Sequence, residues 1–406
     1  MTPAADAGKG THYVPLALIT LSIGVLLMVP LFVESTYLLH MMILIFINVI
    51  IGSAWNILGG YTGQYSVGHA AYFGVGAYTT MILLQYRQIA PWYGIWAGAV
   101  VALMTALIIG SICFRLRGSY FVLASIAVAE IFRVSALNLK AITNGAEGIL
   151  ITEIPPLTIG GTLITDWESK IPFYYTGLIF ALVSITVSWL VLRSKLGYCF
   201  QAIREDQDAA HSLGINPTLY KNAALAISAI FTALAGGLYG AYVGFIDPST
   251  VLGLEKSIQI VVVCIIGGVG TIFGPVLGAA LLVPLSEALR SNVITDLLIK
   301  AGLVRAESPV GVFLKENLAH AHVLIYGILV VIVILFMPEG VLGFFRKMAT
   351  RRGSRGSGVG GRRKGKDLAV TSDSEPSTHD PKPATLDSHP ATPNSDPRPP
   401  TPDSRG

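Results

Sequence analysis

Residues 257–286 read SIQIVVVCIIGGVGTIFGPVLGAALLVPLS. The run carries no charged side chain, and Gly267, Gly268, Gly270, Gly274 and Pro275 break its middle. A helix rises about 1.5 Å per residue and the hydrocarbon of a bilayer is about 30 Å thick, so one crossing takes about 20 residues. The run is too long for one crossing, and its glycines divide it. It therefore predicts two short or discontinuous passes. Backbone polar groups find no partner in lipid, so the break must face protein or an aqueous cavity.

Apolar stretches at 14–33, 38–58, 66–84, 92–114, 119–136, 172–192, 222–244 and 321–337 flank this run. With two passes in 257–286, the chain reads as an all-α, polytopic transmembrane helical bundle of about ten passes, some of them discontinuous and Gly-rich. Composition agrees. Hydrophobic residues make up 52% of the chain and charged residues 13%, whereas a soluble domain carries about a quarter charged residues. A water-facing globule is excluded. The stretch 14–33 reads as a retained first span, because it ends at Val33-Glu34-Ser35-Thr36 without a small-residue cleavage site.

Charge sets the expected orientation. With residues 1–13 in the cytoplasm, Arg115, Arg117, Arg193, Lys195, Arg204, Lys221 and the cluster Arg346 to Lys366 all fall on the cytoplasmic side. That side should hold the excess of Lys and Arg, which places both termini there. The expected domains are a cytoplasmic N-terminus (1–13), a transmembrane domain (14–343) with a cytoplasmic loop at 193–221, a basic juxtamembrane segment (344–366) and a tail (367–406). The tail, rich in Pro, Ser, Thr and Asp, buries too little apolar surface to order. The basic cluster follows a span, so its expected partner is membrane lipid and not nucleic acid. Cys113, Cys199 and Cys264 are scattered and read as apolar fillers, with no metal-ligand spacing.

Four features bear on function. The run Asn56 to Gly74 threads Asn56, Gly60, Gly63, Gln64, Ser66, Gly68 and His69 through apolar sequence. Polar groups at membrane depth must face protein or a cavity. The glycines read as close helix packing. Gln64, Ser66 and His69 read either as pathway lining or as hydrogen bonds between helices, and a metal role for His69 lacks a partner. Gly267, Gly268, Gly270 and Gly274 likewise read as packing, since the run lacks the Lys-Ser/Thr ending of a phosphate loop. Glu130 and Arg133, three apart on one helix face, read as a structural ion pair near an external mouth. Finally, 201–214 reads as a short cytoplasmic helix. In it Asp208-Ala209-Ala210, three residues before Gly214, resembles the EAA motif of bacterial ABC-importer permeases, with Asp in place of Glu. Small alanines permit close docking and glycine ends the helix.

Gly60-Tyr61-Thr62-Gly63-Gln64-Tyr65-Ser66-Val67-Gly68-His69 is similar to the G-x-x-G-x-x-S-x-G-H run of LivM-type permeases of branched-chain amino-acid ABC importers. Arg117 to Phe121, Asn144 to Gly148, Ala202 to Asp206, Gly267 to Thr271 and Gly274-Pro275 match the same family in order. The resemblance covers residues 38 to 343. It implies a bacterial inner-membrane subunit that pairs with a second, LivH-like permease, two cytoplasmic ATPases and an extracytoplasmic solute-binding protein. It implies no catalytic or cofactor-binding residue in this chain, with ATP and Mg bound by the partner ATPases. Arg204, Glu205, Asp206, Asp208, Ala209, Ala210 and Gly214 would lie at the ATPase contact. Asn144-Gly145-Ala146-Glu147-Gly148 departs from the family where a second Gly and an Asn are expected, which leaves urea or amide importers as the nearest alternative within the class. A standalone secondary transporter or channel would need more intramembrane carboxylates than Glu130. An intramembrane enzyme would need a second catalytic group beside His69, and the sequence offers none.

Overall fold

A computed structural model describes residues 13–33, 35–151, 154–155, 157–159, 162–165, 169–290, 327–328 and 331. Contacts divide the chain into units 1–355 and 356–406, and all that is described belongs to the first. Residues 1–12, most of the expected span 321–337, the basic segment 344–366 and the tail 367–406 lie outside the described residues.

The chain opens with α1 (Tyr13–Phe32) and α2 (Thr36–Asn56), which continues as a π-helix over Ile57–Tyr61. Next come α3 (His69–Arg87), α4 (Pro91–Cys113) and α5 (Ser119–Asn138). The short α6 (Lys140–Thr143) leads to strand β1 (Ile149–Leu150) and the antiparallel hairpin β2 (Leu157–Ile159) and β3 (Thr162–Thr165). Then follow α7 (Ile171–Arg193), α8 (Lys195–Glu205), α9 (Gln207–Ser212) and α10 (Pro217–Val243). Strand β4 (Phe245–Ile246) pairs antiparallel with β1, and α11 (Pro248–Leu252), α12 (Leu254–Gly267) and α13 (Gly274–Arg290) complete the described fold.

Among the described residues, five helical stretches are long and apolar enough to cross a membrane: Thr36–Tyr61, Pro91–Cys113, Ser119–Asn138, Ile171–Arg193 and Pro217–Val243. The chain is a multi-pass helical membrane protein. Thr36–Tyr61 and Pro217–Val243 are mostly buried, whereas α4 and α5 are mostly unburied, so α2 and α10 form the centre and α4 and α5 the rim. Hydrocarbon does not drive helices together as water does, so close backbone contact must do more of the work. On α3, a Cβ at Gly76 would run into the Ala233 carbonyl of α10, and one at Gly236 of α10 would run into the Phe73 carbonyl of α3.

The run 257–286 is broken where its glycines predicted. Residues 268–273 leave the helix, and α12 and α13 fold back on each other: a Cβ at Gly278 would strike the Val263 carbonyl. With 14 and 17 residues, the two helices are about 21 and 25 Å long, each shorter than the hydrocarbon layer.

Candidate functional site

One end of the bundle gathers the turn after the π-helix, the α4–α5 loop, the segment α8–α9 and the turn between α12 and α13. The expected single helix over 201–214 is two helices. The break falls at Asp206, whose backbone is extended (φ −153°, ψ 116°). Its side chain accepts hydrogen bonds from the amides of Asp208 (2.8 Å) and Ala209 (3.0 Å). A capping aspartate satisfies the free amides of a new helix in place of continuing the old one. The Ala209 and Asp208 amides also hold its carboxyl below the usual aspartate range. Helix α9 ends on Gly214 at φ 86°. The Ile215 amide donates to the Ala210 carbonyl (3.0 Å) and the Gly214 amide to that of His211 (2.9 Å), the paired bonds of a glycine-terminated helix.

Glu205, Asp208 and Ala209 are exposed, while Ala210 is buried against the bundle. Asp208 pairs with Arg117 of the α4–α5 loop at 2.9 Å. Both side chains are largely exposed, so this tie is worth about 1 kcal/mol or less. A firmer contact lies below it: buried Lys221 of α10 donates to the Gln207 side-chain oxygen at 2.6 Å. Leu213, at the tip, is 82% exposed. The sequence reading did not single it out, although a leucine directly before a helix-ending glycine marks a protruding position.

Arg204 turns inward and donates to the Gly60 carbonyl in the π-helix at 2.7 Å. Gly63 packs beside the same side chain. Asn56, fully buried, clamps the α12–α13 turn with two bonds: its amide donates to the Thr271 carbonyl, and its oxygen accepts from the Gly270 amide, both at 2.8 Å. Gly267, Gly268, Gly270 and Gly274 build that turn, and a Cβ on Gly60 would lie 2.8 Å from the Gly270 nitrogen. Gln64 is half-buried and reaches its own loop at the Thr62 carbonyl (3.4 Å).

His69 is bonded between helices. Its Nδ1 meets Ser66 Oγ at 3.1 Å and its Nε2 meets Ser228 Oγ at 2.8 Å, with the ring wholly buried. The sequence offered no second group beside His69, and the fold supplies two hydroxyls. Both ring nitrogens are thereby occupied and sealed, which suits helix joining rather than catalysis. Gly68 packs against the Ser125 backbone of α5. Glu130 and Arg133 form the expected ion pair at 2.5 Å, about two-thirds of the way along α5. Among the described residues no cluster of His, Cys, Asp or Glu could hold a metal.

A cavity of about 440 Å³ opens between α2, α10, α12 and α13, on the other side of the hairpin from its turn. Asn48, Tyr239, Glu255, Lys256, Gln259 and Glu287 line it. The sequence reading missed these residues. The visible signal was the pair Glu255-Lys256 at the head of an otherwise uncharged run.

A family described as "Branched-chain amino acid transport system / permease component" matches residues 37–334. The chain belongs to this family. It is 31% identical over 278 residues to the high-affinity branched-chain amino acid transport system permease protein LivM of Salmonella typhimurium, covering 64% of this chain and 65% of that protein. LivM of Escherichia coli is 30% identical over the same length and shares. The chain thus spans just under two thirds of these relatives. The autoinducer 2 import system permease protein LsrC of Yersinia pestis is 32% identical over 117 residues, 28% of this chain and 33% of that protein. No solved structure matches.

Proposed function

We propose that this chain is one permease subunit of an ATP-driven importer for branched-chain amino acids, and that α8–α9 is its ATPase contact. One observation carries the reading: a continuous mechanical path. The exposed face of α8–α9 presents Glu205, Asp208, Ala209 and Leu213. Its inner side is hooked to α2 through Arg204 and Gly60, and α2 is hooked to the broken hairpin through Asn56. Pressure on α8–α9 reaches the discontinuous helices through two hydrogen-bonded steps. That is what switching a pathway between two states requires.

The sequence contains no G-x-x-x-x-G-K-[ST] run, so nucleotide and Mg would be bound by separate ATPases. The assembly would comprise two such ATPases in the cytoplasm, a second LivH-like permease and an extracytoplasmic solute-binding protein. It would sit in the bacterial inner membrane with α8–α9 and both termini of this chain in the cytoplasm. The likeness to LsrC supports an import role without fixing the solute, and urea or amides remain the alternative cargo.

The test uses the assembled complex with its binding protein and leucine. Asp208→Lys and Gly214→Pro should each leave the subunit in the membrane and abolish leucine-stimulated ATP hydrolysis. Normal stimulation in both variants removes the coupling assignment.

A further inference from the structure

We infer that the cavity between α2, α10, α12 and α13 binds a small zwitterion with an aliphatic side chain, Lys256 taking the carboxylate and the Asn48 side-chain oxygen the ammonium group. Its volume of about 440 Å³ lies in the range of small-molecule sites. Its lining carries both signs of charge, with Lys256 facing the same space as Glu255 and Glu287. A lining that carries both signs matches a zwitterion better than a simple anion or a simple cation.

The positions are specific. The Lys256 ammonium sits 4.7 Å from the Phe73 ring centre and 5.1 Å from that of Tyr239, and it lies 3.3 Å from the Gln259 side-chain oxygen. Aromatic faces hold a cation without consuming its N–H groups. An ammonium has three donors, so this arrangement fixes the charge and leaves capacity for a carboxylate. Asn48, only 5% exposed, spends its amide on the Leu44 carbonyl at 2.8 Å. Its oxygen has no hydrogen-bond partner among the described residues. Leaving a buried acceptor unmet costs about 1–3 kcal/mol, and an N–H donor entering the cavity would remove that cost. Leu44, Ile47 and Val283 complete the wall and offer apolar surface to an aliphatic side chain. Each charged or polar end of the ligand thus meets a partner, and its middle meets hydrocarbon.

The inference rests on the importer reading only for how such a solute arrives, and its test needs no ATPase. The full chain, in lipid nanodiscs, carries Cys199→Ser and Ser249→Cys. Ser249 is exposed and lines the cavity, while Cys113 and Cys264 are buried. The rate of labelling by a methanethiosulfonate is read with three probes at equal millimolar concentration: leucine, leucinamide without the carboxylate, and 4-methylpentanoate without the ammonium. Leucine should slow labelling about tenfold, which corresponds to a site about nine-tenths occupied, and neither analogue should match it. Lys256→Met and Asn48→Leu should each remove the protection, read as the ratio of labelling rates with and without leucine in the same variant, and Lys256→Arg should retain it. Equal protection by either analogue, undiminished protection in Lys256→Met, or no protection by leucine in the parent overturns the assignment. The analogue series on the parent decides the matter even if a variant misfolds. Failure here beside intact leucine-stimulated hydrolysis removes the cavity alone. Protection here beside hydrolysis that ignores leucine removes the importer reading alone.

Discussion

The guanidinium of Arg204 on α8 is bonded to the carbonyl of Gly60 at the π-helical end of α2, 2.7 Å away. A Cβ on Gly270 would lie 2.8 Å from the same guanidinium, so this side chain touches both α2 and the hairpin turn. Arg204→Ala removes one charge-assisted bond at a partly exposed site, a loss of about 1 kcal/mol. The purified subunit should therefore unfold only slightly earlier on heating. Leucine-stimulated ATP hydrolysis by the complex should nevertheless fall steeply, because the first step of the path is cut. Equal stimulation in Arg204→Ala and the parent would place the path elsewhere.

Asn56 should matter more for stability than Arg204. Both halves of its amide are used within a buried site. Asn56→Leu keeps the volume and strands the Gly270 N–H and the Thr271 carbonyl, each unmet group costing about 1–3 kcal/mol. A total loss of about 3 kcal/mol is expected in thermal unfolding. A cysteine introduced at Thr271 should also label faster in the variant, because the turn it belongs to is released.

Two glycine substitutions should separate backbone strain from collision. Gly214 stands at φ 86° with nothing within 4 Å of where a Cβ would go. Gly214→Ala therefore meets only the left-handed backbone penalty, about 1 kcal/mol. Gly278 faces the Val263 carbonyl at a distance no Cβ can share. Gly278→Ala must pry α12 from α13 and should cost about 3 kcal/mol. Thermal midpoints of the two purified variants give the order, and a reversed order would contradict the hairpin packing.

Much of this architecture was legible because hydrophobic length and glycine punctuation act locally. The division of 257–286 into α12 and α13 follows from Gly267 to Pro275, and the end of α9 from Gly214. The apolar stretch begins at Ser66, whereas α3 begins at His69, with Ser66 Oγ engaged by the Gly68 amide and the His69 ring. The break at Asp206 was missed for a related reason. An aspartate can continue a helix or cap the next, and the choice depends on whether the following amides lack carbonyl partners. The cavity was not legible at all. Asn48, Lys256 and Glu287 are far apart in sequence, and only the packing of α2 against the hairpin assembles them. The partner of His69 at Ser228 is likewise 159 residues away.

The cap at Asp206 carries a pH signature. The Ala209 and Asp208 amides bind its ionised form, so the folded carboxyl titrates below the ordinary aspartate range. A carboxyl depressed on folding contributes stability above its unfolded pKa and loses it as pH falls through the folded value. Protection of the α9 amides against hydrogen exchange should therefore hold from neutral pH down to the ordinary aspartate range and decline below it, after correction for intrinsic exchange. Asp206→Asn offers an uncharged acceptor to the same amides, so its corrected profile should stay flat across that window. Exchange mass spectrometry on peptides covering 206–214 reads both profiles. Loss of protection at the same pH in the parent and in Asp206→Asn would show that another group governs α9.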